Sequence, residues 1–179
     1  MQIHHCLAYG SNLHPLRLRK RVSTANLIGI VEMQGYQLAF HKRSTDESGK
    51  CLIYKTPKLE SSVYGVLYEF DFEQKKSLDD AEGLGNGYQE EVMRVEVDGT
   101  VYLPTIYIAQ DSHINPTLTP FHWYKNFVLA GASYHGFPLD YIETIRTTPS
   151  KQDLKDARRI KNEKLLIEMK NFVYTSNKN

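Results

Sequence analysis

The chain has 179 residues, enough for one domain with its own core, and its 22 Lys and Arg against 21 Asp and Glu leave a formal charge of +1. That balance argues against a general nucleic-acid binder, whose phosphate contacts need a surplus of cations. Two cysteines make no disulfide framework, no apolar run reaches membrane-spanning length, and the N-terminus lacks a charged-then-apolar leader, so the expectation is a reduced, cytoplasmic setting without a membrane partner.

The first element is predicted from the run Ile3 to Ala8, which breaks into Tyr9-Gly10-Ser11-Asn12-Leu13 and then into a basic segment. It reads as strand, loop and helix. Gly10 permits an unusual backbone angle, Ser11 and Asn12 are good helix caps, and Pro15 suits a first helical turn. Free loop N–H groups and the positive end of the following helix would suit an anion, although an ordinary capped turn has the same local signature. Arg17, Arg19, Lys20 and Arg21 then read as a solvated helix face, with attraction of an anionic ligand as the alternative.

Asn26 to His41 reads as two strands joined near Gly35, with Ile28, Ile30, Tyr36, Leu38 and Phe40 as inward candidates, and polar Lys42 to Lys50 as a loop. Cys51 to Tyr54 and Val63 to Phe70 are further strands, the second apolar on both faces and so central. Asp71 looks like a cap for a short helix, Phe72 to Ala81, closed at Gly83. Tyr88 to Val97 and Val101 to Ile108 form strands about the hairpin signal Asp98-Gly99, with Pro104 expected at an edge or bulge. Phe121 to Tyr134 reads as an aromatic-rich helix ended by Gly136 and Pro138. Ser150 to Phe172 reads as a last helix docking Leu154, Ala157, Ile160, Leu165, Met169 and Phe172. The expected whole is a single α+β domain over residues 1–179, with a mixed, barrel-like sheet flanked by helices and residues 150–179 as a C-terminal helical extension.

Glu82 is the candidate for chemistry. The negative end of its helix dipole and the nearby carboxylates of Asp79 and Asp80 would all disfavour its charged form, which would suit a general base near neutral pH; a solvated acidic helix end is the bland reading. Gly83, Gly85 and Gly87 would bring backbone close to a ligand or simply form a flexible turn. His4 and His5 with His113, His122 or His135 lack a compact metal-ligand motif, and Cys6, ahead of the loop in a core strand, is poorly placed as a nucleophile.

Together, Tyr9-Gly10-Ser11-Asn12-Leu13 after a first strand, Val63-Tyr64-Gly65-Val66-Leu67-Tyr68 in a central one, Leu78-Asp79-Asp80-Ala81-Glu82-Gly83 ending a helix, and His135-Gly136-Phe137-Pro138-Leu139-Asp140-Tyr141 resemble the γ-glutamylcyclotransferase family, which includes AIG2-like proteins. The resemblance covers most of residues 1–145. It implies conversion of a small-molecule γ-glutamyl compound, an amino acid or amine derivative, to 5-oxoproline and a free amine, without metal or cofactor. It also implies that Tyr9, Gly10, Ser11, Asn12 and Leu13 hold the glutamyl moiety and that Glu82 is catalytic. Tyr124 falls where some members have a tyrosine near the substrate, and Tyr88 lies within about one position of another; Trp123 joins these two as a candidate wall for the leaving group. The alternative is a binding module that senses a γ-glutamyl or amino-acid-like ligand without turning it over. The leaving amine and homodimerisation stay open.

Overall fold

A computed structural model describes residues 2–58 and 60–175. Strand β1 (Ile3–Ala8) leads through the 9–14 loop into a five-residue helix, α1 (Pro15–Arg19). Strands β2 (Asn26–Gln34) and β3 (Tyr36–Arg43) follow, joined at Gly35, whose φ of +73° is left-handed and so favours glycine. Next come β4 (Gly49–Lys55), β5 (Ser62–Asp71), a 3₁₀ turn and α2 (Lys75–Glu82), which ends on left-handed Gly83. Short strands β6 (Tyr88–Val92), β7 (Val95–Val97), β8 (Thr100–Tyr102) and β9 (Thr105–Ala109) precede helices α3 (His122–Tyr134), α4 (Leu139–Thr147) and α5 (Asp156–Lys170).

The sheet has five strands in the order β2-β5-β1-β9-β6, and two ribbons, β3-β4 and β7-β8, lie outside it. It is mixed: β1 runs antiparallel to β5 and parallel to β9. Its end strands β2 and β6 do not pair with each other, so the barrel-like expectation is corrected to an open sheet with satellite ribbons. Buried Leu7, Val66, Leu67, Tyr68, Phe70 and Ile106 from its interior strands meet Phe127 and Val128 of α3 in one core. At about 1.5–3 kcal/mol for each fully buried large side chain, this layer dominates the favourable side of folding.

Several local expectations change for identifiable reasons. A bulge between Leu27 and Gly29 shifts the pleat of β2, so Val31 and Met33 point inward while Ile30 is 47% exposed. Ladder pairs Lys42↔Lys50 and Arg43↔Gly49 carry the β3-β4 ribbon into the segment expected to be loop. The long strands around Asp98-Gly99 break near Met93 and Pro104; the outer halves form the β7-β8 hairpin and the inner halves join the main sheet. Pro104 thus separates two strands rather than interrupting one, and its carbonyl accepts from Met93 N–H at 3.1 Å. Asp71 flanks the 3₁₀ turn without a side-chain capping bond. Helix α5 begins later than expected and buries only Met169; Leu154, ahead of it, is 87% exposed, and Ala157 and Ile160 face outward too.

His14, not Ser11 or Asn12, caps α1: its Nδ1 accepts Leu16 N–H at 3.2 Å. The residue is 1% exposed, its ring meets Tyr134 and Phe172 at steep angles, and it bonds the backbone of Met169. Burial first, and then the charge of His135, push its pKa down to about 4 from 6.5. A histidine neutral in the fold but protonated in the open chain adds stability that is whole above pH 6.5 and drains away as pH falls towards 4. We expect roughly 1–3 kcal/mol to be lost across that window, measured as a falling thermal midpoint. His14→Asn, which keeps a good capping side chain, should flatten the curve; an unchanged slope would assign the pH dependence elsewhere.

Candidate active site

The site lies where the end of β1 and its loop face the end of α2, with β4, β6, β9 and α3 closing the sides. A small cleft is lined by Tyr9, Gly10, Ser11, Asn12, Cys51, Glu82, Tyr88, Tyr107 and Tyr124, together with the end of β1. Tyr9, Gly10, Ser11, Asn12, Glu82, Tyr88 and Tyr124 are therefore brought together although they come from separated stretches of the chain. Leu13 is the exception, because its side chain points into the core. What Leu13 offers is its carbonyl, which accepts from Tyr68 Oη at 2.6 Å and from His135 Nε2 at 2.8 Å and so fixes the loop from behind. Trp123 is also turned away, its indole N–H bonded to Asp153 at 2.9 Å.

Gly10 is required for a different reason from the one expected. It is absent from the positive-φ residues; instead a Cβ there would stand 3.0 Å from Cys51 Cβ, so glycine lets the loop lie against β4. Leu13 N–H closes the turn on Gly10 O at 3.1 Å, and among the described residues the N–H groups of Gly10, Ser11 and Asn12 have no backbone acceptor. The loop therefore carries spare donors. The contribution expected from the helix dipole is corrected: α1 has only five residues and its first free N–H is taken by His14, so the donors of the loop itself must do the binding.

Four tyrosines shape the walls, and each hydroxyl is committed. Tyr9 donates to Tyr107 O at 2.6 Å, Tyr88 to Cys51 O at 2.5 Å and Tyr107 to Asp79 at 2.6 Å, while Tyr124 accepts from Cys51 N–H at 3.1 Å. Burial pushes all four phenols well above their usual range, so they stay protonated. Burial likewise pushes the Cys51 thiol up to about 12, which leaves it a poor nucleophile.

Glu82 Oε1 accepts from Asn12 Nδ2 at 2.7 Å and is also paired with the Arg21 guanidinium. The carboxylate crowding expected here is absent, because Asp79 is held by Lys75 at 2.9 Å and by Tyr107, and Asp80 is held by Lys76 at 2.7 Å. Lys75 also bridges to Glu90 on β6 at 2.5 Å, so α2 is tied to the sheet two turns before Glu82. Asn12 Oδ1 is buried and has no partner among the described residues. An acceptor left open beside a carboxylate is a place for a cationic donor such as an ammonium group. The basic segment is not simply the solvated face that was expected: Arg21 reaches Glu82, Arg17 lies over the Phe127 ring at 4.2 Å and Arg19 over Tyr174 at 4.6 Å.

Residues 62–145, which carry Glu82, Tyr88 and Tyr124, match the model of the AIG2-like family. The human protein named γ-glutamylcyclotransferase is 29% identical over 147 residues, spanning 78% of this chain and 75% of that one; its bovine counterpart is 28% identical over 150 residues, with 78% and 76% covered. The chain is similar to proteins of that name over 78% of its length. A solved structure titled "Gamma-glutamyl cyclotransferase" superposes with a TM-score of 0.76 at 23% identity, covering 93% of this chain and 99% of that one, and shows that the α+β fold is shared. Sequence reasoning missed Cys51, Tyr107 and Arg21 as members of the site. Tyr107 sits in an apolar strand that reads as plain core, and Cys51 contributes chiefly backbone, which no residue pattern signals. Arg21 had a signal in its spacing of four from Arg17, which puts the two on one side of a helix-like turn.

Among the described residues no group of three or more His, Cys, Asp or Glu is arranged to hold a metal ion. His4 is bonded to Thr105 at 2.9 Å, His122 to Ser150 at 2.8 Å and His135 to Leu13, so the histidines weighed as ligands are dispersed. No helix among the described residues is long and apolar enough to cross a membrane.

Proposed function

We propose that this chain is a cyclotransferase that closes a γ-glutamyl compound to 5-oxoproline and frees its amine, with Glu82 as the acid–base group. The observation that carries the reading is the Asn12 bridge: its amide N–H₂ binds Glu82 while its carbonyl oxygen is buried and open beside it. An α-ammonium set between that oxygen and the carboxylate would lie at the one place where its proton must be removed. The loop N–H groups of Gly10, Ser11 and Asn12 are spare donors suited to the α-carboxylate two bonds away.

In the reaction the α-nitrogen attacks the side-chain amide carbonyl of the same molecule. Its bond to that carbon forms as the bond to the leaving nitrogen breaks, and Glu82 carries the proton from the first nitrogen to the second. Because nucleophile and electrophile share one substrate, folding it into a ring-like conformation supplies proximity, and no enzyme nucleophile is needed. The hydrogen-bonded phenols of Tyr9, Tyr88, Tyr107 and Tyr124 give this slot fixed walls. Arg21, on the same Glu82 oxygen as Asn12, is the group a substrate ammonium would displace.

The test compares a γ-glutamyl dipeptide with its α-amide and its N-acetyl form, reading 5-oxoproline. The N-acetyl form should be inert, and the α-amide should lose roughly tenfold or more in kcat/KM, because loop donors are left unpaired. Equal turnover of parent and α-amide would remove the loop from recognition. The Arg21 ion pair favours one other reading, a binding module whose carboxylate is occupied as a ligand anchor. That protein would be stabilised by the dipeptide without consuming it.

A further inference from the structure

Helix α5 meets the basic end of α1 along a cleft that carries more positive charge than the acids around it can match. One wall presents Arg17 and Lys20, and the other Ile160, Lys161, Lys164 and Leu165. Every carboxylate of α5 is already engaged: Asp156 and Glu163 by Arg159 at 2.5 and 3.6 Å, and Glu168 by Lys20 at 2.6 Å. Arg17, Lys161 and Lys164 have no hydrogen-bond or ion-pair partner among the described residues, and Arg17 Nε is fully enclosed. The Arg17 guanidinium lies over the Phe127 ring at 4.2 Å, so one of its faces is packed. Burial and the like charge of Arg21 both raise the cost of leaving it charged without a counter-ion.

Three unmatched cations on two facing walls suit an anion that offers several oxygens. A carboxylate fills the flat fork of a single arginine, whereas a phosphate monoester brings close to two charges and three free oxygens, enough for one guanidinium and two ammonium groups together. Between the cations the wall is apolar: Leu165 is half-buried against the core, and Ile160 is 45% exposed. That surface gives contact to whatever carries the anion. We propose that the α1–α5 cleft binds a phosphate monoester borne on a small apolar body, at a site separate from the Glu82 slot. No residue lines both places, so the assignment stands apart from the cyclotransferase reading. It also gives the basic segment the anion-binding role that its sequence leaves open beside a solvated face.

The experiment titrates the full chain calorimetrically with phenyl phosphate, inorganic phosphate and benzoate at low salt. Phenyl phosphate should bind with a Kd of about 1 mM or tighter, and several-fold more tightly than inorganic phosphate, which lacks the ring, or benzoate, which lacks the third oxygen and the second charge. Arg17→Gln should weaken it by about 10-fold or more, the usual range for a lost hydrogen bond to a charged group. Lys161 and Lys164 are exposed, so the double variant Lys161→Gln, Lys164→Gln leaves the core untouched and tests the cleft even if Arg17→Gln fails to fold; it should weaken phenyl phosphate by about 5-fold. Absence of saturable binding to the wild type, or affinity unchanged in either variant, would overturn the site; in the latter case the anion sits elsewhere, as on the loop N–H groups of the slot. Benzoate binding as tightly as phenyl phosphate would overturn the choice of phosphate, and inorganic phosphate binding as tightly would overturn the apolar body.

Discussion

Glu82→Gln is expected to lower kcat/KM for γ-glutamyl-alanine by about 10²–10⁴-fold, the range a positioned acid–base group contributes. The amide is nearly isosteric, and its oxygen can still accept from Asn12 Nδ2, now at 2.7 Å from the carboxylate, so the loop keeps its anchor and the substrate should still bind. What disappears is a group able to take a proton from the α-nitrogen and return it to the leaving one. The variant also strips Arg21 of its counter-ion in a place where both side chains are under 20% exposed, at 19% and 17%. Some loss of thermal stability should therefore accompany the loss of rate. The double variant Glu82→Gln, Arg21→Gln removes the stranded charge and separates the two effects: stability should recover while turnover stays lost. Near-normal 5-oxoproline release from Glu82→Gln would take Glu82 out of the mechanism.

Gly131→Ala should be the most damaging small substitution outside the slot. A methyl group at this position of α3 would stand 2.4 Å from Leu13 Cβ and 2.9 Å from the backbone nitrogen of His14. Overpacking of this kind costs about 1–3 kcal/mol, against roughly 1 kcal/mol gained because alanine is the better helix former. Leu13 cannot retreat freely, since Tyr68 and His135 grip its carbonyl at 2.6 and 2.8 Å. The strain must pass into Gly10-Ser11-Asn12. The expected result is a thermal midpoint lowered by several degrees, at about 2–4 °C per kcal/mol for a chain of this size, together with a raised KM for the γ-glutamyl substrate. A more stable Gly131→Ala protein with unchanged KM would show that helix propensity, not the close approach of helix and loop, governs this position.

Much of the architecture was legible because hydrophobic periodicity and turn residues act locally. Val63 to Phe70 announces a buried strand by carrying apolar groups on both faces, and Gly83 ends α2 because its φ of +71° favours a residue without Cβ. Boundaries failed where one strand serves two partners. Nothing between Tyr88 and Ile108 tells the chain to divide near Met93 and Pro104, since that break is set by which sheet each half finds. The fate of Ile30 hung on a single bulge, which inverts the faces of every residue after it. The grouping of Tyr9 to Asn12 with Glu82, Tyr88 and Tyr124 was readable through resemblance rather than periodicity. Electrostatics was least legible. Asp79 and Asp80 look in sequence like neighbours that crowd Glu82, yet Lys75, Lys76 and Tyr107 claim them, and Arg21 arrives from another segment entirely.

The central position of β1 bears on how the protein is made. It leaves the ribosome well before the strands that flank it: Ile3 lies opposite Asp71, and Cys6 opposite Thr105. Its apolar residues must wait, unpaired, until β5 and then β9 are synthesised, and the closure of such distant contacts is slow compared with local helix formation. A nascent chain arrested before β9 emerges would have a 9–13 loop with no wall opposite Tyr9, because the carbonyl that Tyr9 holds belongs to Tyr107. Translation has to run past Tyr107 before this slot can exist, and until then β1 is a stretch that a chaperone would find exposed.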